Sequence, residues 1–233
     1  MNLALLLVLA AAPASQSWQL DTNGTPKVSV ANINGSVRVE AVDGKSVSVE
    51  SRQEGSEEER AKYPIEVKKD GDEVTVRVCC DGTCSRKTSS CNNPVATHFT
   101  LKVPRDTSLE VSVVAADVNS SGVAGPQEVS VVSGDVSVKG SRGPLEVSAV
   151  SGDVELAPET MKDIEVSTVS GNAKLKLPRG AGASVDFSSV GGRFNGRGVS
   201  LGSTEQKYGN GEHDVDVSTV SGSFDVQSDE ASK

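Results

Sequence analysis

Apolar residues along this chain fall on one recurring frame of seven residues closed by Gly. Copies end at Gly134, Gly152, Gly171, Gly192 and Gly222, with Ala116 in the Gly place of another copy. A weaker copy, VSVANIN, ends at Gly35. Counted back from the Gly, apolar residues stand at −7 (Leu109, Leu145, Ile164, Val185, Val215), with Gln127 the exception. They recur at −5 (Val111, Val129, Val147, Val166, Phe187, Val217) and at −2 (Val114, Val132, Val150, Val169, Val190, Val220). Beyond the Gly they stand at +2 (Val118, Val136, Val154, Ala173, Phe194, Phe224) and mostly at +4 (Val138, Leu156, Leu175, Val226). Steps of two are strand alternation, and no helical period of 3.6 fits the set. Steps of three and four change the phase, so they predict bends around −2 and at Ser-Gly-Asp, with the −2 valines facing inward.

A repeat this short is one supersecondary unit stacked on itself. The pattern predicts an all-β fold, a parallel β-solenoid of short coils stacked at ~4.8 Å, like residue on like. Right-handed coiling is the default for parallel crossovers. An antiparallel β-sandwich is the alternative that short, evenly spaced strands also suggest. Successive Gly positions lie 18, 18, 19, 21 and 30 residues apart, so insertions gather toward the C-terminus. Residues 25–104 form a broader strand-rich N-terminal part that shields the array's edge, with a hairpin turn at Lys69-Asp70-Gly71-Asp72. Residues 105–227 are the solenoid repeats, and 228–233 a polar tail. Residues 1–14 read as a signal peptide: an apolar run from Leu3 to Ala12 precedes the small-x-small site Ala12-Pro13-Ala14. The mature chain is then expected to begin at Ser15, with 15–24 an N-terminal extension and no transmembrane segment. Export to the periplasm, the cell surface or the medium follows.

Composition supports the narrow coil. Aromatic residues are 3% of the chain, too few to fill a thick layered core. The formal net charge is −9, from 32 acidic and 23 scattered basic residues. That excludes nucleic acid and anionic membrane as partners, since both need clustered positive charge.

The VSxVSGDV repeat, the VSVANINGSVRVE copy near the start and the strand-closing LKVP (Leu101–Pro104) and LKLP (Leu175–Pro178) resemble the bacterial putative-adhesin family of unknown function. The resemblance covers roughly residues 25–227 and implies an exported or membrane-anchored β-solenoid. It implies no catalytic residues.

Cys79, Cys80, Cys84 and Cys91 cluster in the loop 79–91. In an exported protein an even set reads as disulfides, and Cys79 and Cys80 each pair with Cys84 or Cys91. A zinc site with His98 is the sharper alternative, but the paired C-x2-C spacing of structural zinc is missing. Asp117, Asp135 and Asp153 follow the repeat Gly and would stack, with Asn172 next. They are expected to satisfy local backbone in the turn rather than hold Ca²⁺. The Ser column at −4 reads as a hydroxyl ladder at the bend. The acidic column at −6 reads as a solvated face. Gly191–Asp214 is the longest insertion, and its Arg193, Asn195, Arg197, Lys207, Tyr208 and His213 form a candidate interaction loop.

Together these readings predict a non-enzymatic adhesin-like or scaffold module at the cell envelope, with a glycan or protein partner and no cofactor or metal. A polysaccharide-acting β-helix enzyme and an envelope-stress-related structural protein are the alternatives.

Overall fold

A computed structural model describes residues 14–80, 82, 84 and 93–228. Residues 1–13 of the expected signal peptide 1–14, Cys91 and most of the expected polar tail therefore lie outside the described residues. The N-terminal part holds β1 (Ala14–Asp21), β2 (Lys27–Val42), β3 (Ser46–Gln53), the short helix α1 (Glu57–Ala61), β4 (Ile65–Asp70), β5 (Glu73–Val78) and β6 (Thr97–Pro104). The repeats hold β7 (Ser108–Ser121), β8 (Gln127–Ser133), β9 (Val136–Lys139), β10 (Leu145–Ser151), β11 (Val154–Ala157) and β12 (Ile164–Lys176). They close with β13 (Ala183–Phe194), β14 (Arg197–Tyr208) and β15 (His213–Gln227).

The repeat positions stack in register. Leu145 pairs with Gln127 on one side and Ile164 on the other, and Val147 with Val129 and Val166. After each repeat Gly the same coil starts a second strand, so Val154 stacks between Val136 and Ala173. The parallel ladder therefore bends along the Gly column into two walls, and side chains from both fill one core. The bend needs glycine: Gly134, Gly152 and Gly171 have φ of 141°, 127° and 145°. A Cβ on any of them would overlap the backbone carbonyl of the coil below. Small β-branched residues suffice as filling, each buried Val contributing about 1.5–3 kcal/mol. Gln127, the polar exception at −7, is 3% exposed and accepts a hydrogen bond from Ser120 Oγ at 2.6 Å.

One column departs from the sequence expectation. The −2 valines point outward and are 46–53% exposed. Alternation runs unbroken from −7, so −3 faces the core instead: Val113, Val131, Ala149, Thr168, Ser189 and Thr219 are all buried. The whole phase change occurs at Ser-Gly-Asp. Toward the C-terminus this inner column turns polar, and Thr168 Oγ1 donates to Thr219 Oγ1 at 2.9 Å.

The array is also not wholly sequential or parallel. In space the order runs β7-β8-β10-β12-β15-β13-β14. The chain skips a place after β12, forms β13, returns antiparallel as β14 and then threads β15 into the gap. That detour accounts for the 30-residue spacing. At this end Phe187, Phe194 and Phe224 stack with centroids 5.5, 5.8 and 6.2 Å apart. At the other end β5 and β6 each pair with one half of β2, and antiparallel β4, β3 and β1 cover them. The β4–β5 hairpin turns at Gly71 as expected, and β1 shows that the segment 15–24 is largely strand.

Candidate functional site

The Asp column is structural, in a manner the sequence did not indicate. Asp117 Oδ1 accepts from the backbone N–H of Asp135 at 3.0 Å, Asp135 Oδ1 from Asp153 at 2.9 Å, and Asp153 Oδ1 from Asn172 at 3.0 Å. Each carboxylate thus fastens the next coil, not its own turn. Asn172 continues the series by accepting from Ser223 Oγ at 2.7 Å. An amide oxygen can do this work, so Asp135→Asn is expected to keep the melting temperature. Asp135→Ala is expected to lower it by about 2–4 °C in a thermal melt. Millimolar Ca²⁺ is expected to leave both values in place.

The cysteine cluster forms a clasp beside β5. Cys79 is bonded to Cys84, with Cα atoms 4.7 Å apart, and Cys80 is disulfide-bonded as well. Glu66 on β4 stands beside this bond. Burial opposes its ionisation, but hydrogen bonds from Arg77 at 2.7 Å and Lys68 at 3.1 Å outweigh that and hold its carboxyl below the usual range. Arg77 also donates to the Cys84 carbonyl at 2.8 Å, tying the clasp to the sheet. Glu66, Cys79 and Cys84 converge, yet two sulfurs bonded to each other have no thiolate for a metal. His98 is not part of the cluster. Its Nδ1 meets Ser36 Oγ at 2.9 Å and its Nε2 meets Glu54 at 3.3 Å.

This Ser36–His98–Glu54 line is one the sequence did not reveal, since only the β2–β6 register places Ser36 opposite His98. Glu54 is shared with Arg52 at 3.2 Å, and the line crosses the sheet surface as a brace. The repeated serines at −4 lie on the outer face of their strands, half-buried or exposed. Ser188 Oγ and Ser218 Oγ lie 3.1 Å apart, one step of a ladder on the open face rather than at the bend.

The expected interaction loop is mostly strand. Asn195-Gly196, with φ of 45° and 76°, makes the two-residue turn between β13 and β14. Asn-Gly is the residue pair such hairpins favour. Arg197 and Tyr208 open and close β14, and His213 begins β15. An open cleft of about 1320 Å³ forms where β14 meets the end of the second wall. Asn195, Arg197 and Tyr208 line it together with Lys174, Lys176 and Gln206, while Arg193, Lys207 and His213 do not. Lys207 instead lies 3.7 Å from Glu205. Asn195 organises the cleft. Its amide donates to Tyr208 Oη at 2.6 Å and Gln206 Oε1 at 3.3 Å, and its Oδ1 accepts from the Val226 N–H at 2.8 Å. Burial raises the Tyr208 phenol above its usual pKa, partly countered by the Asn195 hydrogen bond.

The inner side of β14 explains the cleft's polarity. Arg197 pairs with Phe194, Thr204 with Phe187 and Gln206 with Val185. Polar side chains thus occupy the face that earlier coils fill with Val and Leu. Lys174 and Lys176, at +3 and +5 of their coil, escaped the sequence reading because outward lysines normally mark only a solvated face. Such a cleft offers hydrogen-bond donors, the cations Lys174, Lys176 and Arg197 beside the carboxylates Glu205 and Asp225, and two aromatic rings, Phe194 and Tyr208, the equipment for holding a polar ligand.

Comparison with known proteins agrees with the resemblance carried by the repeat. Residues 117–227 match the family described as Toastrack DUF4097. No curated protein matches the chain. Among solved structures, a putative cell adhesion protein from Clostridium sporogenes ATCC 15579 is 14% identical, with a TM-score of 0.50 over 93% of this chain and 99% of that one. A putative adhesin from Bacteroides fragilis NCTC 9343 is also 14% identical, with a TM-score of 0.39 over 92% and 97%. A putative lipid binding protein from Parabacteroides distasonis ATCC 8503 is 10% identical, with a TM-score of 0.42 over 93% and 97%. The first of these shows a shared fold. No helix among the described residues is long and apolar enough to cross a membrane.

Proposed function

We propose that this chain is a non-enzymatic, exported interaction module of the adhesin-like kind, working at the cell envelope, and that the C-terminal cleft is its contact surface. The observation that carries the reading is the inner side of β14, where Arg197, Thr204 and Gln206 share a face with Phe194, Phe187 and Val185. These side chains do not close the stack as the Val and Leu of earlier coils do, so they leave its end as a polar surface open to a polar ligand. The Cys79–Cys84 bond fits an oxidising compartment. The putative cell adhesion protein from Clostridium sporogenes fits an interaction role on the same fold. An envelope glycan suits the cleft, because hydroxyl-rich ligands need dispersed donors and acceptors rather than a deep apolar hole.

The test is a binding isotherm of the purified, oxidised chain on isolated cell envelopes and on glycans extracted from them. Saturable binding is expected, weakened about tenfold by Arg197→Ala combined with Lys176→Ala, a loss of ~1.4 kcal/mol. Absence of binding to both fractions would overturn the proposal. Undiminished binding by the double variant would overturn the assignment of the cleft.

A further inference from the structure

The outward −2 column gives a second surface, unrelated to the cleft. Scattered exposed apolar residues are ordinary on any protein. Here six of the seven large hydrophobic residues exposed among the described residues fall in one line. In spatial order they are Val114, Val132, Val150, Val169, Val220 and Val190, on adjacent strands of the first wall. The −4 serines run beside them, and Ser112, Val114, Ser130, Val132, Ser148 and Val150 line part of a shallow groove along the stack. Beyond the serines runs a second line: Glu110, Glu128, Glu146, Glu165, Asp216 and Asp186 at −6. Among the described residues only Glu110 of these six has an ion pair, with Lys27 at 3.3 Å.

The two lines define their occupant by chemistry. One flank is apolar, the other is anionic, and the row between carries small side chains. Four residues of extended strand separate the lines, about 13 Å. That is close to the ~10–12 Å diameter of an α-helix with its side chains. Six stacked strands span about 24 Å, the length of roughly 16 helical residues. A second copy of this chain is a poor fit, because it would bring another acidic line and a net charge of −9 to the same place. We infer that this face of the first wall docks a cationic amphipathic helix, its apolar stripe on the valines and its Lys or Arg side chains on the −6 carboxylates.

The probe is a fluorescent 18-residue peptide of Leu and Lys with Leu on one helical face, titrated into the full oxidised chain at low and physiological salt. Saturable one-to-one binding is expected. Val132→Thr with Val150→Thr should weaken it about tenfold, as should Glu128→Gln with Glu146→Gln and Glu165→Gln, the latter also flattening the salt dependence. All five positions are on the surface, and circular dichroism and melting temperature check that the variants fold. Equal binding of a scrambled peptide of the same composition would mean diffuse charge attraction and overturn the inference. So would binding indifferent to the valine pair, or no binding at all. A concentration-dependent dimer abolished by the valine pair would assign the face to a second copy instead. Loss of envelope binding through Arg197 and Lys176 leaves this result untouched, so the two readings fail separately.

Discussion

Gly152→Ala will cost about 3 kcal/mol or more and sharply lower the urea midpoint of the oxidised chain. Two penalties combine. The residue's φ of 127° lies where an L side chain is strained, a cost of about 1–3 kcal/mol. The new Cβ would also press into the Gly134 carbonyl of the neighbouring coil, and overpacking of this kind costs a further ~1–3 kcal/mol. Gly180→Ala separates the terms. Gly180 has φ of 72° with open space around its Cβ position, so only the conformational cost of about 1–2 kcal/mol remains. Ala116→Gly should be nearly silent by comparison, since Ala116 occupies the same column without a positive φ. Equal midpoint shifts for Gly152→Ala and Gly180→Ala would show that coil contact at the bend contributes nothing.

Phe187→Ala is expected to remove about 3–5 kcal/mol, enough to leave the C-terminal end of the stack unformed. Phe187 is wholly buried and touches both other rings of the stack, at 5.5 and 6.2 Å. Neighbouring coils hold Val at this position, so a cavity of phenyl size has nothing nearby to collapse into it. Phe224→Ala acts on the same cluster. The double variant should therefore lose less than the sum of the singles, a coupling of about 0.5–3 kcal/mol readable from denaturation midpoints. Strict additivity would mean that the rings stabilise the fold independently and that their stacking is incidental.

Much of the fold was legible because position repeats in sequence became position stacks in space. The −7, −5 and +2 columns all pack inward as read, and the parallel register follows the Gly frame. The −2 column was misread because the eye counts apolar residues. Val114 and its counterparts are uniformly apolar yet outward, while the truly buried −3 column passes from Val113 to Thr168 and Ser189 and so looks mixed. The valines satisfy strand propensity on an exposed face, and propensity carries no information about direction. The β15 insertion was hidden for a different reason. Its repeat is as good as any other, and nothing in Val215–Gly222 says which neighbours it will take. Of the candidate contact residues, Asn195, Arg197 and Tyr208 meet in one cleft, while Lys174 and Lys176 reach it only through the detour of the chain. The Asp column was recognised as a turn feature, but its partners belong to the adjacent coil, eighteen or nineteen residues away.

Because β15 lies between β12 and β13, the C-terminal strand has no free side along its first half on which another coil could grow. An ordinary solenoid gains or loses units at an open end. In this chain the units free to vary in number are the interior ones, bounded by β7 and β12, where each coil meets its neighbours through the same columns. A tandem duplication of residues 127–144 would add one rung and lengthen the molecule by ~4.8 Å, with both ends left as they are. It would also add one valine and one carboxylate to the outer lines in phase with the rest. The reach of the protein and the length of its outer surface would then change together, in whole-rung steps, by duplication alone.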